Sequence, residues 1–407
     1  MTEFSDYHWL VSDEARPWIT TAAESDLPSH RLVENLRRSL STERVRLVVE
    51  QVGLREKASE KFGSLARQMF FTDRALQQAT DLSIARHKAQ RFSEGGEIVD
   101  YCCGIGGDML ALAERGSVVG VDRDPIMAIL ADANLRVWKL DKSASMKTAT
   151  SEECPPTIGS RWHLDPDRRV DGRRSTHPEF HSPSESTIDS WLEASPHGAI
   201  KFAPAAVLSH NWQEQAELEW ITRARSCRQL VAWFGELAES PGMRRATVIQ
   251  NQGLEFQTAS FVGDPLCEAP LAESISDYVF DTDPSIRASR LTGALAVELG
   301  CEALFPGEAY LTANHAGNSP LTSCFKVIDA LPFRVPKLAK YLQSLGIGEL
   351  EIKTRGVSTS PEELRKRLKL VGDRNTTLLV TRQRKKEIAI LAERYEATGV
   401  TDGHVSE

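Results

Sequence analysis

VDYCCGIGGD, residues 99–108, decides how this chain is read. It holds three glycines and two adjacent cysteines between Asp100 and Asp108. The preceding EIVDYCC has strand character. The following DMLALAERG carries apolar residues at helical spacing and stops at Gly116. SVVGVDRD then predicts a second strand. Asp124-Pro125 predicts the start of a second helix through IMAILADANLRVWKL, with Asp as N-cap and Pro at the first position. Strand, helix, strand, helix is a parallel βαβ rhythm. The glycines therefore fall at a strand-to-helix junction, where backbone N–H groups can approach a ligand closely.

Three rival readings of the loop fit poorly. A dinucleotide fingerprint counted from Gly104 finds its second glycine at Gly106, but its third position is Met109. No Gly-Lys-Ser/Thr follows, as a phosphate loop requires. Cys102 and Cys103 are adjacent, which is not metal-ligand spacing. The acids point elsewhere. A carboxylate at Asp100 would repel a pyrophosphate but attract the cationic S-adenosylmethionine. Asp122, ending the next strand, can accept both ribose hydroxyls. The candidate cofactor-binding set is Asp100, Cys102, Gly104, Gly106, Gly107, Asp122 and Arg123, with S-adenosyl-L-methionine as the expected cofactor. The cysteines are read as small core residues ending a strand, not as nucleophiles.

The wider composition bounds the rest. A chain of 407 residues predicts more than one domain, and 41% hydrophobic with 26% charged content predicts a soluble globular protein. No run of about eighteen apolar residues exists, so no membrane span is expected. MTEFSDYHWLVSDEARPW has neither a basic start nor an apolar run, so no secretory signal is expected. Seven scattered cysteines suggest a reducing, cytoplasmic location and no disulfide framework or metal. The net charge is −8, yet residues 331–395 hold fifteen basic against seven acidic residues, a surplus of eight. A basic module on an acidic body suggests a polyanionic partner.

Along the chain, HRLVENLRRSL, TERVRLVVEQVGL and RALQQATDLSIARHKAQRF read as helices, giving an N-terminal helical region over 1–95. An α/β domain follows over 96–265, with strands expected in SMKTAT, RWHLD, AIKFA, LEWITRA, QLVAWFG and ATVI. Residues 167–189 read as an irregular loop. A connecting extension over 266–330 includes a helix from Asp283-Pro284 to Gly300. The basic domain over 331–395 has helices in PKLAKYLQSLG and EELRKRLKL, the second behind the capping box Ser360-Pro361-Glu362-Glu363. Its strands are LEIKTRGV, TTLLVTRQ and EIAILAE, and a disordered tail over 396–407 ends the chain.

DYCCGIGGDMLALA…VVGVDRDP resembles motif I and its following acid in class I S-adenosylmethionine-dependent methyltransferases. KASEKFGSLARQMFFTDRALQQAT, ARHKAQRF, HLDPDRR, YVFDTDPSIRAS, GEAYLT and GIGELEIKTRGV together resemble bacterial methyltransferases with a C-terminal THUMP-like domain, over roughly 55–395. The resemblance implies a Rossmann-like methyltransferase sheet, a small C-terminal α/β domain and action on RNA, and it names no target within the family.

The acceptor side is expected at RWHLDPDRR, the fourth strand and its exit loop, with Asp165, Pro166 and Arg168 as catalytic candidates. Related amino-methylating enzymes usually carry Asn/Asp-Pro-Pro-aromatic there. This chain lacks the second proline and the aromatic, which puts amine methylation of a base in doubt. Asp165 would orient or deprotonate an acceptor, and Arg168 would pair with phosphate. The alternative is an Asp-Pro turn with solvated arginines. RNA-binding candidates are Arg86 and Lys88, with Arg91 beside them, and Lys353, Arg355, Arg365, Arg367, Arg384 and Lys385. Lys201 is a further residue facing the site, while Trp220 and Trp233 read as core. His177 and His181 have i, i+4 spacing, but their loop context argues against metal. A methyltransferase of protein or small molecules, and an inactive RNA-binding protein keeping the fold, remain the alternative functions.

Overall fold

The computed structural model describes residues 4–166, 169–170, 173–174, 182–252, 255–307 and 310–395. The chain divides into two compact units, Met1–Glu217 with Gln229–Gly242, and Leu218–Arg228 with Met243–Glu407. No helix among the described residues is long and apolar enough to cross a membrane.

The first unit begins with helices Phe4–Leu10, Arg16–Ala23, Ser29–Leu36 and Thr42–Phe62. Ser41 caps the long helix by accepting from the Arg44 N–H at 3.3 Å. Trp9, Leu10, Ile19, Leu36, Leu47 and Val48 form their shared core. RALQQATDLSIARHKAQRF is two helices, Asp73–Gln78 and Leu82–Ala89, rather than one. The break has a local cause: Ala79 turns extended at ψ 135°, and Asp81 caps the second helix by accepting from the Ser83 N–H at 3.0 Å.

The strands of this unit are β1 (Glu97–Tyr101), β2 (Ser117–Asp122), β3 (Ala144–Thr148), β4 (Arg161–Leu164), β5 (Gly198–Phe202) and β6 (Ser226–Trp233). Their order is β6-β5-β4-β1-β2-β3. β1 to β5 pair in parallel and β6 is antiparallel to β5. The chain leaves β1 for β2 on one side and returns on the other as β4. That makes the carboxyl ends of β1 and β4 the switch point where α/β sheets take ligands. Asp100 registers with Gly120 and with His163, and Asp122 with Thr148. The irregular reading of 167–189 needs correction at its end: Glu185–Ala194 is a helix whose N-cap, Ser184, accepts from the Thr187 N–H at 3.2 Å.

The second unit carries the strand Arg244–Gln252 between Glu217–Arg223, parallel to it, and Glu255–Gly263, antiparallel. Its larger sheet has seven strands, in the order Glu302–Ala303, Leu311–Ala313, Tyr278–Thr282, Thr322–Pro332, Lys386–Arg394, Arg374–Gln383 and Ile347–Thr354. Helices Val335–Ser344 and Pro361–Leu368 cover the core of Leu338, Leu342, Leu350, Leu364, Leu368 and Leu378. Ser360 caps the second of these by accepting from the Glu363 N–H at 3.2 Å, as the capping box predicts. The segment expected to connect domains contributes strands to this sheet, because Tyr278–Thr282 pairs with Thr322–Pro332. The helix expected from Asp283 to Gly300 is two, Pro284–Ala288 and Thr292–Glu298, parted where Arg290 turns left-handed at φ 60°.

Candidate functional site

The glycine loop leaves β1 in a run of left-handed residues: Cys102 at φ 54°, Gly104 at 54° and Gly106 at 87°. Gly104 and Gly106 adopt this without the Cβ clash that Cys102 tolerates. A Cβ built on Gly104 would meet nothing within 4 Å, so the backbone there faces open space. Gly107 has a different role. Its Cβ would lie 3.1 Å from the Thr80 backbone nitrogen, so glycine here admits the Ala79–Asp81 break against the loop.

Asp122 ends β2 beside the loop. Its Oδ2 accepts from the Gly104 N–H at 2.8 Å, and its Oδ1 accepts from the Asp124 N–H at 2.9 Å. Burial pushes its carboxyl up, and those two N–H groups pull it back. Asp124 in turn caps the helix Pro125–Val137, accepting from the Ile126 N–H at 2.9 Å. Arg123 is exposed and Cys102 half-buried. Cys103 is buried, and desolvation raises its thiol well above the ordinary range, the opposite of an activated nucleophile.

Under the loop lies a chain of polar groups that the sequence concealed. Asp100 is fully buried, and its Oδ1 lies 2.7 Å from His163 Nδ1. His163 Nε2 lies 3.0 Å from Lys88 Nζ, which pairs with Asp108 Oδ1 at 2.6 Å. Thr80 donates its hydroxyl to Asp108 Oδ2 at 2.6 Å and accepts from Lys201 Nζ at 3.0 Å. Lys201 finally pairs with Asp165 Oδ2 at 2.5 Å. The series runs from beneath the glycine loop to the exit of β4. Burial pushes the Asp108 carboxyl up, but Lys88, His163 and Lys201 outweigh it and hold the group well below the usual carboxylate range. Burial also lowers the Lys88 ammonium, against the pull of Asp108.

Two expectations fail here. Asp100 is 0% exposed, with Oδ1 on His163 and Oδ2 buried without a hydrogen-bond partner, so it braces the strand end before the loop rather than lying open to solvent. Lys88 is 1% exposed and spent on Asp108 and His163, so it is not an RNA contact. Arg91 is likewise committed, pairing with Glu217 at 2.7 Å and lying 4.9 Å over the Trp233 ring. Arg86 pairs with Glu114 at 2.7 Å on a partly exposed face.

Asp165 is held in place by its own N–H, which donates to the Tyr101 carbonyl at 3.2 Å, and Pro166 beside it is buried. Arg168, His177 and His181 lie outside the described residues, as does the tail over 396–407. Lys201, read as facing the site, meets Asp165. Arg365, Arg367, Arg384 and Lys385 are exposed on the second unit, whereas Lys353 and Arg355 are partly buried against Asp281, at 3.0 and 3.1 Å. Sequence reasoning missed His163, Asp108 and Thr80. The only hint of His163 was its place two residues before Asp165, on the same strand.

Residues 322–394 match the family model THUMP domain-like. A Mycobacterium tuberculosis protein, named an uncharacterized S-adenosylmethionine-dependent methyltransferase in strains CDC 1551 and H37Rv, is 30% identical to this chain over 348 residues. The match covers 82% of this chain and 92% of the relative. The chain belongs to this family of S-adenosylmethionine-dependent methyltransferases. The methyltransferase is also similar in fold to a crystal structure from Porphyromonas gingivalis W83, assigned as a methyltransferase. The TM-score is 0.77 at 17% identity, over 97% of this chain and 99% of the other. S-adenosylmethionine is accordingly its cofactor.

Proposed function

We propose that this methyltransferase methylates structured RNA, with the C-terminal unit docking the RNA and the β1–β4 switch point carrying the transfer. The observation that carries the reading is the coincidence of the THUMP domain-like match with the basic segment. Residues 331–395 hold fifteen basic and seven acidic residues in a chain of net charge −8. Phosphate contact is supplied by exposed Lys and Arg, here Arg365, Arg367, Arg384 and Lys385, with Arg86 partly exposed beside Glu114. All seven cysteines are free, which favours a reducing, cytoplasmic setting.

For the cofactor, the fit rests on Gly104 and Asp122. The open space before Gly104 and the left-handed turns at Cys102 and Gly106 let the backbone approach a nucleoside, and Asp122 stands where ribose hydroxyls would be accepted. Arg123 edges the same turn. Bound S-adenosylmethionine supplies an electrophilic methyl group. The chain supplies alignment, the main demand of an in-line displacement. Asp165, held by Lys201 and by the Tyr101 carbonyl, orients the acceptor and takes its proton. Pro166 stiffens the turn that presents it.

Incubation of the full chain with labelled S-adenosylmethionine and total cellular RNA, followed by nucleoside analysis, tests this reading. Label in a modified nucleoside is the expected result. Label confined to protein or small molecules contradicts it.

A further inference from the structure

Three sequence stretches that the methyl-transfer site does not use meet at one place in the second unit. YVFDTDPSIRAS supplies Asp281 and Arg287, GEAYLT supplies Tyr310, and GIGELEIKTRGV supplies Glu351, Lys353 and Arg355. Asp281, 8% exposed, pairs with Lys353 at 3.0 Å and Arg355 at 3.1 Å, and has Arg287 at 3.6 Å. Glu351 pairs with Arg394 at 3.1 Å and has Lys353 at 3.7 Å. Four cations thus face two carboxylates in a cluster whose basic side chains are all under one-third exposed.

Two donors in the cluster point at nothing. The hydroxyl of Tyr310, a residue 0% exposed, has no hydrogen-bond partner, and neither has the buried Nε of Arg355. The Arg355 guanidinium lies 5.8 Å over the Tyr310 ring. Burial pushes the Tyr310 hydroxyl up and Asp281 adds to this, while Arg355 and Arg287 act against it, so the ring's polar end lies among these charges. Partly desolvated positive charge without a counter-charge is costly, and unmade hydrogen bonds on buried donors add to the cost.

We propose that Arg287, Tyr310, Lys353, Arg355 and Arg394 form an anion site that takes a phosphate group. A phosphate dianion matches a surplus of two positive charges. Its several oxygens suit an arginine fork, an ammonium and a phenol donating together. The group comes from the RNA or from a free phosphate. The proposal deepens the RNA reading by naming what this unit grips, yet its geometry stands without methyl transfer.

The test is calorimetric titration of the full chain with inorganic phosphate, and separately with a short oligoribonucleotide bearing a terminal phosphate or a terminal hydroxyl. Inorganic phosphate is expected to bind. Arg355→Met is expected to weaken it about tenfold, in keeping with loss of a charge-assisted hydrogen bond. Tyr310→Phe keeps the ring and is expected to weaken it by a smaller factor. Asp281→Asn is expected to tighten it, because a competing acid is removed; a purely structural cluster would show no such gain. S-adenosylmethionine affinity serves as the folding control and is expected to stay unchanged in all three variants. If the terminal phosphate strengthens oligonucleotide binding and Arg355→Met cancels the gain, the group is an RNA phosphate. If only inorganic phosphate responds to the variants, the site serves a free anion. Absence of phosphate binding in the wild type, or equal binding by wild type and Arg355→Met, overturns the proposal.

Discussion

Around Asp108 in the first unit, two lysines and a histidine face three carboxylates, so acidic and basic groups are matched in number, although the buried Asp100 Oδ2 has no hydrogen-bond partner. Around Asp281 in the second, four cations face two carboxylates, and a buried tyrosine hydroxyl is left over. The first cluster is balanced in charge and holds the strand ends beside the glycine loop. The second carries a surplus of positive charge. Both are clusters of shielded ion pairs, so charge balance is what separates a scaffold from a candidate binding site.

The comparison breaks most readily at Lys88. Lys88→Met leaves Asp108 buried without its partner, which costs about 3–5 kcal/mol. Urea denaturation should show that loss. For Lys353→Met, in the surplus cluster, the cost should stay under about 1 kcal/mol, because Arg355 and Arg287 still face Asp281 when one surplus cation is removed. Equal costs would dissolve the distinction. Acid sharpens it further. Asp108 is held below its unfolded value, which is about 3.9, so its contribution is complete above that pH and is lost as pH falls below it. Denaturation midpoints followed from neutral pH into that acid range should fall more steeply in the wild type than in Lys88→Met.

Smaller effects concern the loop. Gly106 sits at φ 87°, so Gly106→Val imposes about 1–3 kcal/mol of backbone strain and should remove S-adenosylmethionine binding as the turn rearranges. Calorimetry showing retained binding would mean that the turn is not the cofactor's seat. Asp122→Ala should weaken the cofactor by about 1–3 kcal/mol, and unchanged affinity would take Asp122 out of the site. The smallest effect is expected at the exposed hairpin turn. Arg384→Ala should weaken RNA binding slightly and lower its salt slope by about one, measured by filter binding across a salt series.

Much of this was legible locally. The βαβ rhythm, the Asp124 cap and the Ser360 capping box follow from residues adjacent in sequence, and the structure has each of them. What escaped depends on distant partners. ARHKAQRF offers Arg86, Lys88 and Arg91 on one short helix and its end, and nothing in the spacing says that Lys88 finds Asp108, or Arg91 finds Glu217. Asp100 looked like a ligand group because its partner, His163, arrives 63 positions later on a neighbouring strand. Thr80 was hidden inside a stretch read as continuous helix. The start of the basic domain was read at 331, inside a strand spanning Thr322–Pro332 that pairs with Lys386–Arg394, because only cross-strand pairing marks that edge.

Methyl transfer at this site requires the turn between Gly104 and Asp122 to be the cofactor's seat. A crystal structure of the full chain with S-adenosylhomocysteine tests it directly. The expected density places the ribose against the Asp122 carboxylate and the nucleoside over the Gly104–Gly106 backbone, with Asp165 facing the sulfur. Density elsewhere, or an occupied site in which Asp122 keeps only its backbone partners, would contradict it.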